Sequence, residues 1–271
     1  MQEAIEGKLT ADWRSQNPDV EPASELLKRI AVEKAQLVKE KKIKPQKPLP
    51  PITDEEKPFE LPKGWEWCRL GEITTKYEAG KSFKCLDREV FGDEWGVIKT
   101  SAITSSIFKQ DENKFYRESP PLDQSKKIST GDLIFCRASG SKGLAGICCI
   151  ATEVSKNLLL SDKTPRLEIS TLVEKLFIFF HNETNHTKIY YSSLNTGKST
   201  SMNNITKEQL LAKYIPLPPC QEQQAIVAKV EKLLALCDQL ETQITQNQTH
   251  AEQLMQAVLK EAFNPNSEST G

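Results

Sequence analysis

The sequence has 271 residues, of which 38% are hydrophobic and 27% charged, and its net charge is −1. This length is enough for one or two domains with a substantial buried core. We expect no membrane span, because no run of about 18 uninterrupted apolar residues is present, and we expect a cytoplasmic location, because residues 1–6 lack the basic and apolar pattern of a secretory leader.

Cysteine and histidine usage argues against a metal site. The seven cysteines form no Cys-x-x-Cys pair, and the sequence contains only three histidines. A zinc-binding spacing cannot be assembled locally from these residues. We therefore expect no metal and no other cofactor, and we expect reduced, mostly buried thiols.

The charge is unevenly distributed along the chain. Residues 61–215 carry 22 basic and 18 acidic side chains, whereas residues 216–271 carry 3 and 7. A modest positive excess supports DNA binding when the cations share one face, but many domains with the same excess bind no nucleic acid. Charge alone therefore leaves both interpretations open.

Residues 1–60 predict a helical segment followed by a stiff linker. A polar turn at 17–19 precedes a helix that begins near Pro22, a residue tolerated in a first turn. The helix runs into the lysine-rich residues 39–44, and the prolines of residues 45–51 favour an extended chain. The lysine run is either a solvated helix end or a contact to phosphates.

Residues 61–218 predict one mixed α/β domain. Apolar runs bounded by turn residues at 96–100, 131–136 and 146–151 are typical of short strands. Residues 172–181 are apolar enough for a buried helix. Thr206 and Gln209 have the spacing of a capping box, so a helix should begin there.

Residues 219–263 predict one long helix. Its apolar positions alternate in steps of four and three, which is the pattern of a coiled coil. At 1.5 Å per residue such a helix is about 65 Å long, and it cannot bury this heptad seam by itself. Asn247 inside the seam either fixes the register or marks a locally hydrated position. The predicted dimerisation residues are Ile226, Val230, Leu233, Cys237, Leu240, Ile244, Asn247, Ala251, Leu254 and Val258.

We expect DNA contacts from two loops of the middle domain, residues 137–143 and 196–204, and from Lys99 and Lys163. Arginine, lysine and asparagine match guanine and adenine edges, and serine and threonine suit phosphates. Ordinary solvated loops remain the alternative for each residue taken singly, and Arg137 has a second alternative, a structural salt bridge with Asp132 or Asp162. The DNA-binding candidates are Lys99, Arg137, Ser139, Ser141, Lys142, Lys163, Lys198, Ser199, Thr200 and Asn203.

The catalytic patterns that the sequence contains are incomplete. Gly197-Lys198-Ser199 imitates a phosphate loop, but that loop needs a glycine where Ser192 stands. Asp19 with Glu55 and Lys57 imitates a metal-dependent nuclease pattern, but a polar helix and a proline linker separate them. No methyl-donor motif is present. We therefore expect no catalytic activity from this chain.

Four segments together resemble the specificity subunit of type I restriction-modification systems. Residues 61–73 (LPKGWEWCRLGEI) resemble the opening of a target recognition domain, and residues 131–137 (GDLIFCR) resemble its strand and following arginine. Residues 214–223 (YIPLPPCQEQ) resemble its closing motif, with the conserved helix after it, and residues 2–10 (QEAIEGKLT) are similar to the end of such a helix. The resemblance covers nearly the whole chain.

The resemblance implies an α+β fold in which a mixed α/β recognition domain is followed by a long coiled-coil helix. A full subunit of this family has two recognition domains, each reading half of a split DNA sequence, with two antiparallel helices that set the gap. Methyltransferase subunits dock on those helices, and a separate restriction subunit cuts. This chain departs from the pattern, with one recognition domain and one long helix. The predicted segments are 1–60, 61–218, 219–263 and a disordered tail, 264–271.

The leading hypothesis is therefore a DNA-reading module that pairs with a second copy of itself and with the methyltransferase and restriction subunits. A standalone nuclease or methyltransferase is the first alternative. A coiled-coil interaction protein without DNA affinity is the second.

Overall fold

A computed structural model describes residues 1–118, 121, 123–141, 143–194 and 203–263. The chain divides into two compact units, Met1–Val227 and Ala228–Gly271. The predicted boundaries at 60/61 and 218/219 stay predictions. The predicted disordered tail lies outside the described residues.

Three helices open the first unit: α1 (Gln2–Ile5), α2 (Ala11–Gln16) and α3 (Ala23–Lys39). The predicted helix after Pro22 is thus confirmed as α3. Its inner face buries Ala23, Leu26 and Ile30, whereas Val32 is 69% exposed, which explains the incomplete apolar pattern. Just beyond α3, Lys41 adopts φ of 56°, a left-handed conformation that is incompatible with continued helix.

The two sequence segments that open and close the family motif pair with each other. Strand β1 (Glu66–Arg69) lies antiparallel to the last strand of the unit, Tyr214–Leu217, with Cys68 opposite Ile215. The short helix α4 (Leu70–Ile73) follows β1 directly. The ends of the domain therefore meet at one small sheet.

Two four-stranded sheets form the body of the domain. The strands from β2 to β10 are β2 (Thr74–Glu78), β3 (Cys85–Leu86), β4 (Trp95–Ile98), β5 (Asn113–Tyr116), β6 (Leu133–Phe135), β7 (Ala138–Ser139), β8 (Cys148–Ile150), β9 (Asn157–Leu159) and β10 (Arg166–Ile169). The first sheet has the order β2-β10-β6-β8 and is antiparallel throughout. The second sheet has the order β3-β5-β4-β9 and contains one parallel pair, β4 with β9. The three strands expected from apolar runs are confirmed as β4, β6 and β8.

A core cluster of buried residues joins the two sheets. Ile134 and Cys149 come from the first sheet, and Ile98 and Leu158 come from the second; all four are at most 2% exposed. Burial of each such side chain contributes about 1.5–3 kcal/mol, so this cluster fixes how the sheets pack. The loops at their edges are consequently carried on a rigid frame.

The remaining elements are α5 (Lys175–Asn182), α6 (Asn185–Ser193), β11 (Asn203–Asn204), α7 (Lys207–Leu211), β12 (Tyr214–Leu217) and α8 (Cys220–Ala262). The predicted buried helix is confirmed as α5, but it begins at Lys175 because residues 170–173 form a turn in which the N–H of Val173 donates to the carbonyl of Ser170. The capping box is confirmed: Thr206 Oγ1 accepts from the N–H of Gln209, whose side chain accepts from the N–H of Thr206.

Helix α8 begins in the first unit and continues into the second, as far as Ala262. Ile226 is fully buried, and Val230 is 4% exposed. From Leu233 onward the apolar positions of the seam are open, with Leu240 at 49% and Leu254 at 67% exposed. The predicted α+β fold, a mixed domain followed by one long helix, is confirmed. Within the described ranges, no helix combines the length and apolarity needed to cross a bilayer.

Candidate nucleic-acid interface

The first predicted loop meets the end of the second, at Asn203 and Asn204, although some 60 residues of sequence separate them. Strand β7 pairs antiparallel with β11, which places Asn203 opposite Ser139. The N–H of Ile205 also donates to the carbonyl of Arg137, at 2.8 Å. These backbone bonds bring the segment 137–141 and the start of α7 together on one edge of the domain.

A third predicted residue joins the same place. The carbonyl of Lys163 accepts a hydrogen bond from the N–H of Arg137, at 2.8 Å. Lys163 lies in a tight turn, where the hydroxyls of Ser161 and Thr164 are 2.8 Å apart and Ser161 Oγ accepts from the N–H of Lys163. We call residues 137–141, 161–164 and 203–205 the loop cluster.

Arg137 does not form the structural salt bridge that was the alternative to DNA binding, within the described residues. Its Nε is buried and makes no hydrogen bond within the described residues. Asp132 instead pairs with Arg166, at 2.7 Å, and neither Asp132 nor Asp162 forms an ion pair with Arg137 in the part of the chain that the structure describes. The guanidinium of Arg137 is therefore half-buried without a neutralising carboxylate, as expected of a group that receives an external acceptor.

The two serines of this segment differ. Ser139 is 8% exposed, and its Oγ accepts a hydrogen bond from the N–H of Ser141 at 3.2 Å, so its hydroxyl shapes the turn. Ser141 is exposed. Of these two hydroxyls, that of Ser141 is the one available to a ligand.

Lys99 lies apart from the loop cluster. It follows β4 on the second four-stranded sheet, and its Nζ is 3.6 Å from Asp87, which also lies 3.4 Å from the ammonium of Lys114. Lys142, Lys198, Ser199 and Thr200 fall outside the described residues, and Asn203 is placed by its backbone alone. Their proposed roles stay predictions.

Sequence reasoning missed two side chains that border the loop cluster. Lys207, the first residue of α7, holds its Nζ 5.0 Å from the ring centroid of Tyr77 on β2. The N–H of Ile205, two residues before Lys207, donates to the carbonyl of Arg137, so Lys207 and the ring of Tyr77 lie beside the loop cluster. Burial raises the pKa of Tyr77, and the positive charge of Arg137 acts to lower it. The signal in the sequence was a tyrosine beside Lys76 in a strand and a lysine directly after a helix cap.

A buried ion network supports this edge of the sheet. Glu78 at the end of β2 accepts from Arg166 and, at 3.0 Å, from both Lys76 and Lys126. Burial alone would raise the pKa of Glu78, but hydrogen bonds from these three cations outweigh it and lower the pKa to about 2. Because Glu78 and Arg166 lie on paired strands, the network holds β2 and β10 in register.

A second buried carboxylate joins the N-terminal segment to the start of α8. Glu222 is completely buried and accepts hydrogen bonds from Thr10 at 2.7 Å, from Trp65 Nε1 at 2.8 Å and from the guanidinium of Arg14. It lies in the first turn of α8, where the helix dipole favours a negative charge. The sequence showed this glutamate only as part of the closing motif.

Comparison with known proteins agrees with the resemblance. Residues 62–248 match the model of the family described as type I restriction modification DNA specificity domain. The Escherichia coli type I restriction enzyme EcoEI specificity subunit is 39% identical over 97% of this chain and 44% of its own length. The corresponding EcoAI subunit, also from Escherichia coli, is 35% identical over 89% of this chain and 39% of its length. The chain thus spans less than half the length of these curated relatives.

Two solved structures share the fold. The HsdS subunit from Thermoanaerobacter tengcongensis aligns over 90% of this chain and 53% of its own, with a TM-score of 0.50 and 21% identity. A chain from a structure on complex assembly and conformational transition of the type I R-M system aligns over 89% and 53%, with a TM-score of 0.53 and 21% identity. With the family match over residues 62–248, the EcoEI identity and this shared fold, the chain belongs to the family of type I restriction modification DNA specificity domains.

Proposed function

We propose that this chain is a DNA sequence-recognition module of a type I restriction-modification complex, with no catalytic step of its own. Its recognition domain reads one half of a bipartite target, and the long helix positions the methyltransferase and restriction subunits. The observation that carries the proposal is the loop cluster, which joins Arg137 to Lys163 and is bordered by Lys207 and Tyr77, in a domain of this family.

Within the loop cluster, Arg137 is the base-reading residue. Its backbone is held by Lys163 on one side and Ile205 on the other, so the guanidinium starts from a fixed position. A planar guanidinium makes two hydrogen bonds to the O6 and N7 of guanine. Lys198, just ahead of α7, serves as a phosphate contact, because the approach to a helix start favours anions.

A second copy of the chain covers the exposed part of α8. Since Ile226 and Val230 are already buried, the dimer surface is the seam from Leu233 to Val258, which continues in steps of four and three with Asn247 inside it. An exposed apolar stripe of this length is unfavourable in water. Pairing two helices supplies the spacer between two recognition domains.

Two identical copies related by a two-fold axis impose the same symmetry on their DNA site. The target is therefore an inverted repeat: one short half-site on opposite strands, separated by unread bases. Mapping the methylated positions in cells that carry this chain with its modification subunit tests this directly. Two unrelated half-sites would instead mean that a second, different recognition domain takes part.

The deciding experiment mixes the chain with labelled duplexes, with and without the modification subunits. We expect binding to one sequence over random DNA, strengthened by the modification subunits, and no turnover by the chain alone. Cleavage or methylation by the isolated chain would show a standalone enzyme. Assembly without any DNA affinity, even in the presence of modification subunits, would show a coiled-coil interaction protein.

A further inference from the structure

A groove of about 2000 Å³ runs between two parts of the recognition unit. Helix α3 and the linker after it form one wall, and β2 with α7 forms the other. Nine basic and five acidic residues line it, although the whole chain has a net charge of −1. Positive charge is therefore concentrated at this place in the fold.

Most of the excess lies on the linker wall. Residues 39–48 contain five lysines and one glutamate, and all five lysines are exposed. Lys42 pairs with Glu40 at 2.8 Å. Within the described residues, Lys44 and Lys47 have no carboxylate within 4.0 Å. These two lysines consequently present uncompensated charge to the solvent beside the groove.

The linker is held in place, so these lysines do not belong to a free tail. The guanidinium of Arg69 donates to the carbonyls of Pro50 and Pro51, at 3.0 and 2.7 Å, and it forms an ion pair with Glu56. Lys34 donates to the side chain of Gln46 at 2.9 Å. Binding by a segment that is already ordered avoids much of the entropy cost of fixing it.

Gly71 allows the linker to approach this closely. A Cβ on Gly71 would lie 2.5 Å from Nε2 of Gln46 and 2.7 Å from Cδ1 of Leu49. The absence of a side chain at Gly71 therefore lets Gln46 and Leu49, which flank Lys47 in the sequence, pack against the start of α4.

The groove also adjoins the loop cluster. Tyr77 and Lys207 line the groove, and Ile205, two residues before Lys207, donates its N–H to the carbonyl of Arg137 in the loop cluster. A duplex seated on the loop cluster would thus lie beside the groove that the basic linker lines. This continuity favours nucleic acid over an acidic protein surface as the occupant.

We propose that Lys44 and Lys47 bind the phosphate backbone of duplex DNA next to the half-site, which extends the contact beyond the base-reading loops. This rests on the proposed function. In an extended proline-rich chain at about 3.1 Å per residue, the two lysines are about 9 Å apart. One strand carries a phosphate about every 3.4 Å of helix axis, so the two lysines can reach separate phosphates of one strand.

The test is the salt dependence of DNA binding by the complex with its modification subunits. Replacing both Lys44→Ala and Lys47→Ala should reduce the slope of log K against log salt by about 1.8, since each phosphate contact contributes about 0.9. If the variant and the wild type bind equally at 1 M salt, this slope difference makes the variant bind about 30-fold more weakly at 0.15 M. The loss should be the same on target and random duplexes. Lys44→Arg with Lys47→Arg should keep the wild-type slope.

The matched control replaces two other exposed lysines that do not line the groove, Lys109→Ala with Lys188→Ala, and its slope should not change. Suppose that the linker variant keeps the wild-type slope while the wild-type protein still prefers its target sequence to random DNA. That result would overturn this inference and leave the proposed function standing. A linker variant that loses modification subunits instead of DNA would assign the surface to a protein partner and overturn it. Wild-type protein with no sequence discrimination would overturn both.

Discussion

Replacing Glu222 should destabilise the whole first unit, because this carboxylate holds three parts of the chain together. Its oxygens accept from Thr10 and Arg14 in the N-terminal segment and from Trp65 before β1, while its own backbone begins α8. Thr10 is 1% and Trp65 6% exposed, so bulk solvent does not reach the two donors. Glu222→Ala therefore leaves two buried donors unsatisfied and the cation of Arg14 without its carboxylate.

The expected cost follows from the loss of a buried charge pair. Removing one partner of such a pair costs about 3–5 kcal/mol, a figure that includes the unpaired charge left behind. In a unit of this size each kcal/mol lowers the melting temperature by about 2–4 °C, so the shift is about 6–20 °C. Glu222→Gln keeps one acceptor oxygen and should cost less, about 1–3 kcal/mol.

Urea unfolding followed by tryptophan fluorescence measures this directly, with Glu3→Ala, an exposed glutamate, as the control. Adding Arg14→Ala to Glu222→Ala should cost about 1–3 kcal/mol less than the sum of the two single effects, because the variants remove one interaction. Destabilisation of Glu222→Ala by less than about 1 kcal/mol, or strict additivity with Arg14→Ala, would refute the assignment of Glu222 as the anchor.

Three further predictions address pH, base reading and assembly. The pKa of Glu78 in the folded protein, about 2, lies below the ordinary 4.5, so its contribution to stability of roughly 2–4 kcal/mol is present above pH 4.5 and is lost as the pH falls toward 2. Glu78→Gln should therefore flatten the dependence of unfolding free energy on pH between pH 5 and 2, and an unchanged dependence would contradict the ion network. Arg137→Ala should cost about 1–3 kcal/mol on the true DNA site and much less on random DNA; a large drop in melting temperature with specificity retained would instead give Arg137 a structural role. Leu233→Glu with Leu240→Glu should yield monomers by light scattering, and a wild-type chain that is monomeric at micromolar concentration would refute the dimer.

Local patterns in the sequence were sufficient for several elements. The capping box at Thr206 and Gln209 depends on residues three apart, and the structure contains both of its hydrogen bonds. The heptad pattern of α8 and the apolar runs of β4, β6 and β8 are equally local, because periodicity reports which face of an element is apolar. The family motifs likewise identified the domain from their order along the chain.

Long-range contacts were decided only by the tertiary structure. Nothing in the spacing of Ser139 and Asn203 shows that they face each other across β7 and β11. The sequence left Asp132 as a candidate partner of Arg137, whereas the fold gives Asp132 to Arg166 on a neighbouring strand. Which cation reaches a given carboxylate depends on strand pairing, and single-sequence patterns do not encode that pairing.

The linker after α3 shows the same difference between what local sequence predicts and what the tertiary structure decides. Prolines and lysines predicted an extended basic segment after α3, since both properties belong to the residues themselves. That this segment lies against β1 and α4, across the groove from β2 and α7, follows from Arg69 and the missing Cβ of Gly71, which act across the fold. By itself the sequence determined the elements, the family and the candidate loops; tertiary packing decided which of those loops meet, because burial and hydrogen bonding are satisfied between distant segments.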